Sequence, residues 1–173
     1  MRIFLIVAGI ISGLLLAGIA VIVTIGNQIE SDHAVTLTEN LPFGYDETMK
    51  LLTDPVKYTE WNPLITSVEI DESSETCSWK EVYENGSHVC FRQSWDPETS
   101  TLKREVTSED APFQVVLTIQ IKASSETSSQ IIISEAGAIP NPLLRFIAHR
   151  VVGVEALQQS FISSLQSANG NKG

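Results

Sequence analysis

Two polar residues interrupt an oily helical face near the end of the chain. In NPLLRFIAHRVVGVEALQQSFISSLQSA, Arg150 and Gln158 fall among Leu143, Ile147, Val154, Phe161 and Leu165 when the segment is wound at 3.6 residues per turn. A guanidinium on such a face is costly unless it has a partner or reaches water. Glu135 could supply the partner, because it shares one strand parity with Val115, Leu117, Ile119, Ile121, Ile131 and Ile133, the parity expected to face inward. Two chemistries fit. Either the pair is a structural ion pair, with the arginine stem buried and its head reaching for water, or it holds the polar end of a ligand in an otherwise apolar pocket. Gly153, in mid-helix, leaves room for close packing or for that ligand.

Further polar candidates lie in the middle of the chain. Glu81, Arg92 and Arg104 have the side chains for acid, base or oxyanion work. No catalytic residue is assigned, because there is no G-x-S-x-G, no C-x-x-C and no phosphate loop. His33, His88 and His149 are scattered without metal-ligand spacing, so neither a metal nor a cofactor is expected.

Charge narrows the partners. Of 173 residues, 11 are Lys or Arg and 21 are Asp or Glu, giving a net charge of −10. Nucleic acid is therefore excluded as a partner class, and the acidity favours solubility.

Residues 3–25 carry no charged side chain and are rich in Leu, Ile, Val, Ala and Gly. At ~1.5 Å per residue such a run crosses a ~30 Å hydrocarbon layer. The competing reading is a cleaved signal ending near Gly18-Ile19-Ala20, but the apolar core continues past the ~7–15 residues of a signal. A single-pass membrane anchor is expected. Arg2 precedes the span and Glu30, Asp32 and Glu39 follow it, so the C-terminal domain is expected on the extracytoplasmic side, periplasmic or extracellular.

After a linker at 26–33, AVTLTENLP alternates as a strand, with Val35, Leu37 and Glu39 on one side. In FGYDETMKLLTD, Tyr45, Met49 and Leu52 define one helical face. Asp54-Pro55 then opens a second short helix, PVKYTEW, and Asn62-Pro63 stops it. Trp61 lies at that stop, either as a core plug under the helix corner or as a pocket wall. Six further strands follow between Leu64 and Ala136, with Asn85-Gly86 as a type I′ turn signal that also reads as a glycosylation sequon.

A two-residue turn there pairs Glu81 with Cys90 and leaves two candidate inner faces. One carries Phe91 and Trp95 with Gln93 and Arg104, and is the one expected to look inward; the other carries Trp79, Tyr83 and Arg92. In that register Cys77 and Cys90 are offset by about 13 Å at ~3.3 Å per residue. That is too far for a bridge, and free thiols are expected.

The order strand, two short helices, six strands, long helix resembles the helix-grip fold of the START-related superfamily of polyketide cyclases and lipid-transfer proteins. The most specific match is MKLLTDPVKYTEWNPLI. The resemblance implies an α+β domain at 34–167, in which a curved seven-stranded antiparallel sheet wraps a long C-terminal helix, with a short disordered tail at 168–173. It also implies a cavity between sheet and helix for a lipid, isoprenoid or polyketide-like molecule. The family shares no fixed catalytic set, and a membrane anchor is not part of its usual pattern. Cavity candidates are Trp61, Phe91, Trp95, Arg104, Glu135, Arg150, Gly153 and Gln158. Alternatives are a structural or partner-binding module without ligand, or a cyclase- or hydrolase-type enzyme.

Overall fold

The computed structural model describes residues 2–71, 77–108 and 111–168, with backbone alone for 2–10. The chain opens on helix α1 (Arg2–Asn27) and passes through a short bend into strand β1 (Asp32–Leu41). Among the described residues no helix is long and apolar enough to cross a membrane. The side chains of 2–10, and so the first part of the expected span, lie outside that description, as do residues 169–173 of the expected tail.

Helix α2 (Tyr45–Thr53), a 3-10 turn at Pro55–Lys57 and helix α3 (Tyr58–Trp61) fill the space between β1 and β2 (Ile65–Ile70). The apolar spacing of α2 works as the sequence implies: Leu52 is fully buried, and Tyr45 and Met49 pack against the core. Pro55 sits at the first position of the turn, but the Asp54 side chain makes no capping hydrogen bond. Asn62 ends α3 in an extended conformation, as a residue before proline must.

Strands β3 (Trp79–Tyr83), β4 (His88–Asp96), β5 (Thr101–Val106), β6 (Gln114–Ser125) and β7 (Ser128–Ala138) complete one seven-stranded antiparallel sheet in the order β1-β7-β6-β5-β4-β3-β2. The chain from β2 to β7 is a meander, and β1 is laid beside β7. Ile119 pairs with Ile133 and Ile121 with Ile131. All four are buried on the inner face, as their shared parity predicts.

The β3–β4 register differs from the expected one. Tyr83 N–H donates to Ser87 O and Gly86 N–H to Tyr83 O, with Gly86 at φ +77°, so Glu84, Asn85 and Gly86 form a three-residue loop. The ladder therefore pairs Lys80 with Cys90 and Glu81 with Val89. One residue of slip turns a strand over. Phe91 remains inside as expected, but it pairs with Trp79, and Trp79 and Glu81 are buried beside it.

The same hairpin overturns the expectation of free thiols, since Cys77 and Cys90 form a disulfide with a Cα–Cα distance of 5.4 Å. Strand β3 begins only at Trp79, and although Ser78 N–H still reaches Phe91 O, Cys77 has left the ladder and lies against Cys90. The expected offset assumed a straight strand through Cys77, which the chain does not form.

The C-terminal helix is also not continuous. Asn141 caps helix α4 (Pro142–Phe146) by accepting from the N–H groups of Leu143 and Leu144. The backbone then widens into a π-helical turn (Ile147–Val152), breaks at Gly153 and restarts as α5 (Ala156–Ser167). Gly153 adopts φ +88°, a conformation that L side chains resist, while a Cβ there would meet nothing within 4 Å. Its role is the break and not the close packing expected of it.

Helix α5 lays Ile162 and Leu165 on the sheet's core, and Phe161 packs edge-on to Trp61. Helix α4 instead packs chiefly against α1. Along the inner face Leu37, Val115 and Leu117 are half buried, beside Val35, Ile119 and Ile133, which are buried.

Candidate functional site

Two polar clusters stand on the inner face of the sheet, and their hydrogen bonding differs. The first is built around Arg104, which β5 holds inward opposite Gln93 of β4 and Leu117 of β6. The guanidinium is 3 % exposed. It donates to the Tyr58 hydroxyl, to Gln93 Oε1 at 3.1 and 3.3 Å, and to Leu52 O at 3.5 Å. Its Cζ lies 5.0 Å from the Tyr58 ring centre and 5.2 Å from that of Trp79. Tyr58 in turn donates to Leu52 O at 2.6 Å, so the α2–α3 corner is bolted to β5 through one cation.

Beside it the buried Glu81 carboxylate accepts from Trp79 Nε1 at 3.0 Å and Tyr83 Oη at 2.8 Å. Burial raises the pKa of Tyr83, and the neighbouring Glu81 charge raises it further. Burial pushes the Tyr58 phenol up to about 12, although Arg104 pulls the other way. An unfolded phenol ionises near ~10. The stability that protonated Tyr58 confers is therefore full below about pH 10 and is lost as pH rises through 12, a change of about 3 kcal/mol. In an alkaline titration followed by phenolate absorbance, Tyr58→Phe should remove a late step near pH 12, and unfolding should bring that step down to about 10. A Tyr58 ionisation in the ordinary range in folded protein would contradict the burial of its hydroxyl.

This cluster fills its space. Trp61 packs edge-on against Tyr58 at 5.1 Å and against Phe161 at 5.4 Å, and Phe91 stacks on Trp79 at 5.5 Å. Trp61 is thus a core plug, and its outer side also borders a surface groove of about 460 Å³ faced by Ser160, Ser163, Ser164 and Ser167. Trp95 is 37 % exposed and does not line the interior. Arg92 is exposed and pairs with Glu105 at 2.6 Å, and so cannot serve an interior reaction with Glu81 and Arg104.

The second cluster lies two strands away, at the same level across Leu117 from Arg104. Glu135 of β7 receives His33 Nε2 of β1 at 2.7 Å and the Gln158 amide of α5. Gln158 is 3 % exposed. Here the bonding is incomplete: His33 Nδ1, Gln158 Oε1 and His149 Nε2 are buried and have no hydrogen-bond partner among the described residues. With the His33 Nε2 proton directed at the carboxylate, a neutral ring leaves Nδ1 as an acceptor, and Gln158 Oε1 is another. The pKa of His149 is lowered by burial first, then by His33 and Arg150, which favours its neutral ring.

The expected partnership of Glu135 with Arg150 does not form. Arg150 is exposed, because it lies in the widened turn, which rotates it off the face that regular α-helical winding would have given it. Gln158, beyond the break, does meet Glu135. His33 was missed, having been assigned to the linker. Its parity with Val35 and Leu37 was the available signal, since extending β1's alternation by two residues places it inside.

No protein-family model matches the chain, and no curated protein matches it significantly. Solved structures do. The Zhui aromatase/cyclase from Streptomyces sp. is 12% identical, with 80% of this chain and 92% of that one covered and a TM-score of 0.64. A START superfamily protein from Mycobacterium smegmatis is 16% identical over 78% and 98% of the two chains, TM-score 0.56. Norcoclaurine synthase from Thalictrum flavum is 12% identical over 84% and 99%, TM-score 0.60. These likenesses establish the helix-grip fold of START-related proteins for the domain after α1.

Proposed function

We propose that this chain is a membrane-anchored domain that binds a hydrophobic or amphipathic small molecule between its sheet and its C-terminal helices. The ligand belongs to the lipid, isoprenoid or polyketide-like class. Its polar end carries a hydrogen-bond donor such as a hydroxyl, received by His33 Nδ1 and Gln158 Oε1 beside Glu135. The observation that carries this reading is the cluster of buried, unpartnered polar atoms around Glu135, close to the half-buried Val115 and Leu117. The solved structures of similar fold include an aromatase/cyclase and a START superfamily protein, which supports the ligand class.

The anchor rests on the uncharged run 3–25 and on Ile11, Leu14, Leu15 and Leu16, all exposed along the described part of α1. An extracytoplasmic location for the domain agrees with the Cys77–Cys90 disulfide, since such bonds persist in oxidising compartments.

Native mass spectrometry of the full chain released from detergent micelles tests the binding. One small apolar species per protein is expected to survive detergent removal. Gln158→Leu, which keeps the volume and removes the acceptor, should weaken its retention by roughly 10-fold or more, the worth of one hydrogen bond to a buried polar group. Wild-type protein that carries no such species, or a Gln158→Leu variant that retains it fully, would end this assignment.

A further inference from the structure

The segment between β7 and α5 has an unusual surface for this chain. Leu143, Ile147, Val151, Val152 and Leu157 are all exposed, Val151 to 68 %. They stand on α4, the π-helical turn and the start of α5, on either side of the Gly153 break. Arg145, His149 and Arg150 are interleaved with them, and no acidic residue occurs between Glu135 and Glu155 in a chain that carries 21. Of the three, Arg150 is the exposed cation, and an apolar ridge beside an exposed cation, free of acidic groups, is the composition of a segment that lies in a membrane interface.

Its position relative to α1 is fixed by contact. Helix α4 packs on the end of α1, where Gly26 allows the Pro142 carbonyl an approach that any Cβ would block. Arg145 ties the same junction, donating to Ile29 O at 2.8 Å and to Pro140 O at 3.3 Å. The α4 start of the ridge therefore sits against the last turn of α1, where the uncharged run 3–25 ends, and the π-helical turn with Val151 and Val152 follows directly from it.

We infer that residues 142–154 form a second contact with the bilayer: Val151 and Val152 enter the boundary between head groups and acyl chains, and Arg150 meets lipid phosphate. This rests on the reading of α1 as an anchor. It turns the cluster of Glu135, His33 and Gln158 toward lipid. The physical driving force is removal of the exposed valines and leucine from water, with the guanidinium stem lying along the interface and its head among phosphates.

The test is nitroxide depth measurement on the full chain, reconstituted in vesicles of phosphatidylcholine with a minor share of phosphatidylglycerol. Because Cys77 and Cys90 are bonded to each other, an introduced cysteine is the one free thiol among the described residues. Labels at Val151→Cys and Val152→Cys should show an oxygen-to-nickel-chelate accessibility ratio at least about threefold that at Thr99→Cys on the remote β4–β5 turn, as burial in the interface demands. Adding Arg150→Glu to the Val151-labelled chain should return the ratio toward the Thr99 value. A label at Leu15→Cys reports α1 separately. If Leu15 is deep in hydrocarbon while Val151 and Val152 match Thr99, this interfacial contact is wrong and the anchor stands. If Leu15 is itself exposed to water, the anchor reading fails and this contact fails with it.

Discussion

Arg104→Met should lower the unfolding free energy by roughly 3–5 kcal/mol, the cost of removing one member of a buried charged network. The side chain is 3 % exposed, and the substitution strips the donor from the Tyr58 hydroxyl and from Gln93 Oε1 while opening a gap between the Tyr58 and Trp79 rings. For a domain of this size that corresponds to a fall in melting temperature of about 10 °C. Arg104→Lys should recover less than half of it, because an ammonium cannot reach Gln93, Leu52 and Tyr58 together from one stem. Thermal unfolding of the full chain in detergent micelles, followed by circular dichroism, measures both. A loss below about 1 kcal/mol for Arg104→Met would place it among surface salt bridges in energetic terms and contradict its assigned role as the bolt between β5 and the α2–α3 corner.

The second large effect concerns the bridge between Cys77 and Cys90. The two residues are 13 apart in sequence, and closing a loop near that length is worth about 3 kcal/mol in the chain-entropy account. Cys77→Ser with Cys90→Ser should therefore destabilise the domain by about that amount. Reductant should have the same effect on the wild type and none on the double variant. Thiol titration checks the premise directly: no reactive thiol is expected in folded, non-reduced protein, and two after reduction and unfolding. Wild-type melting that is indifferent to reductant would show that the bond is not closed in solution.

How much of this was legible beforehand can be argued from particular residues. The strand–two-helix–six-strand–helix order was readable because hydrophobic period, Asp54-Pro55 and Asn62-Pro63 all signal locally. The inward parity of Ile119, Ile121, Ile131, Ile133 and Glu135 was readable for the same reason, since alternation over a long hairpin admits one solution. The β3–β4 face was not. Both of its faces mix aromatic and charged residues, so the pattern could not choose between a two-residue and a three-residue turn at Asn85-Gly86, and the whole assignment hung on that single residue. The disulfide was lost by the same step, together with the assumption that Cys77 lies in a regular strand.

The candidate site divides in the same way. Glu135 faces inward as strand alternation implied, and Gln158 faces inward too, although its winding was carried across the break at Gly153. Arg150 was misplaced, because a winding of 3.6 residues per turn was carried through Ile147–Val152, where the backbone widens into a π-helical turn. Tyr58 could be placed only as part of a short helix, and nothing in the linear pattern reveals that its hydroxyl meets Arg104 across 46 positions of chain.

The sheet order also bears on how the protein is made. Strand β1 emerges early from the ribosome, yet its one neighbour in the sheet is β7, with Val35 held against Glu135. Pairing of this range is slow because a long stretch of chain must be closed before any bond rewards it. Throughout most of translation β1 therefore waits with an open edge, tethered next to α1 at whatever site receives that helix. Chaperone demand should be concentrated on this waiting strand, and a stop codon anywhere before β7 leaves the edge with nothing to cover it.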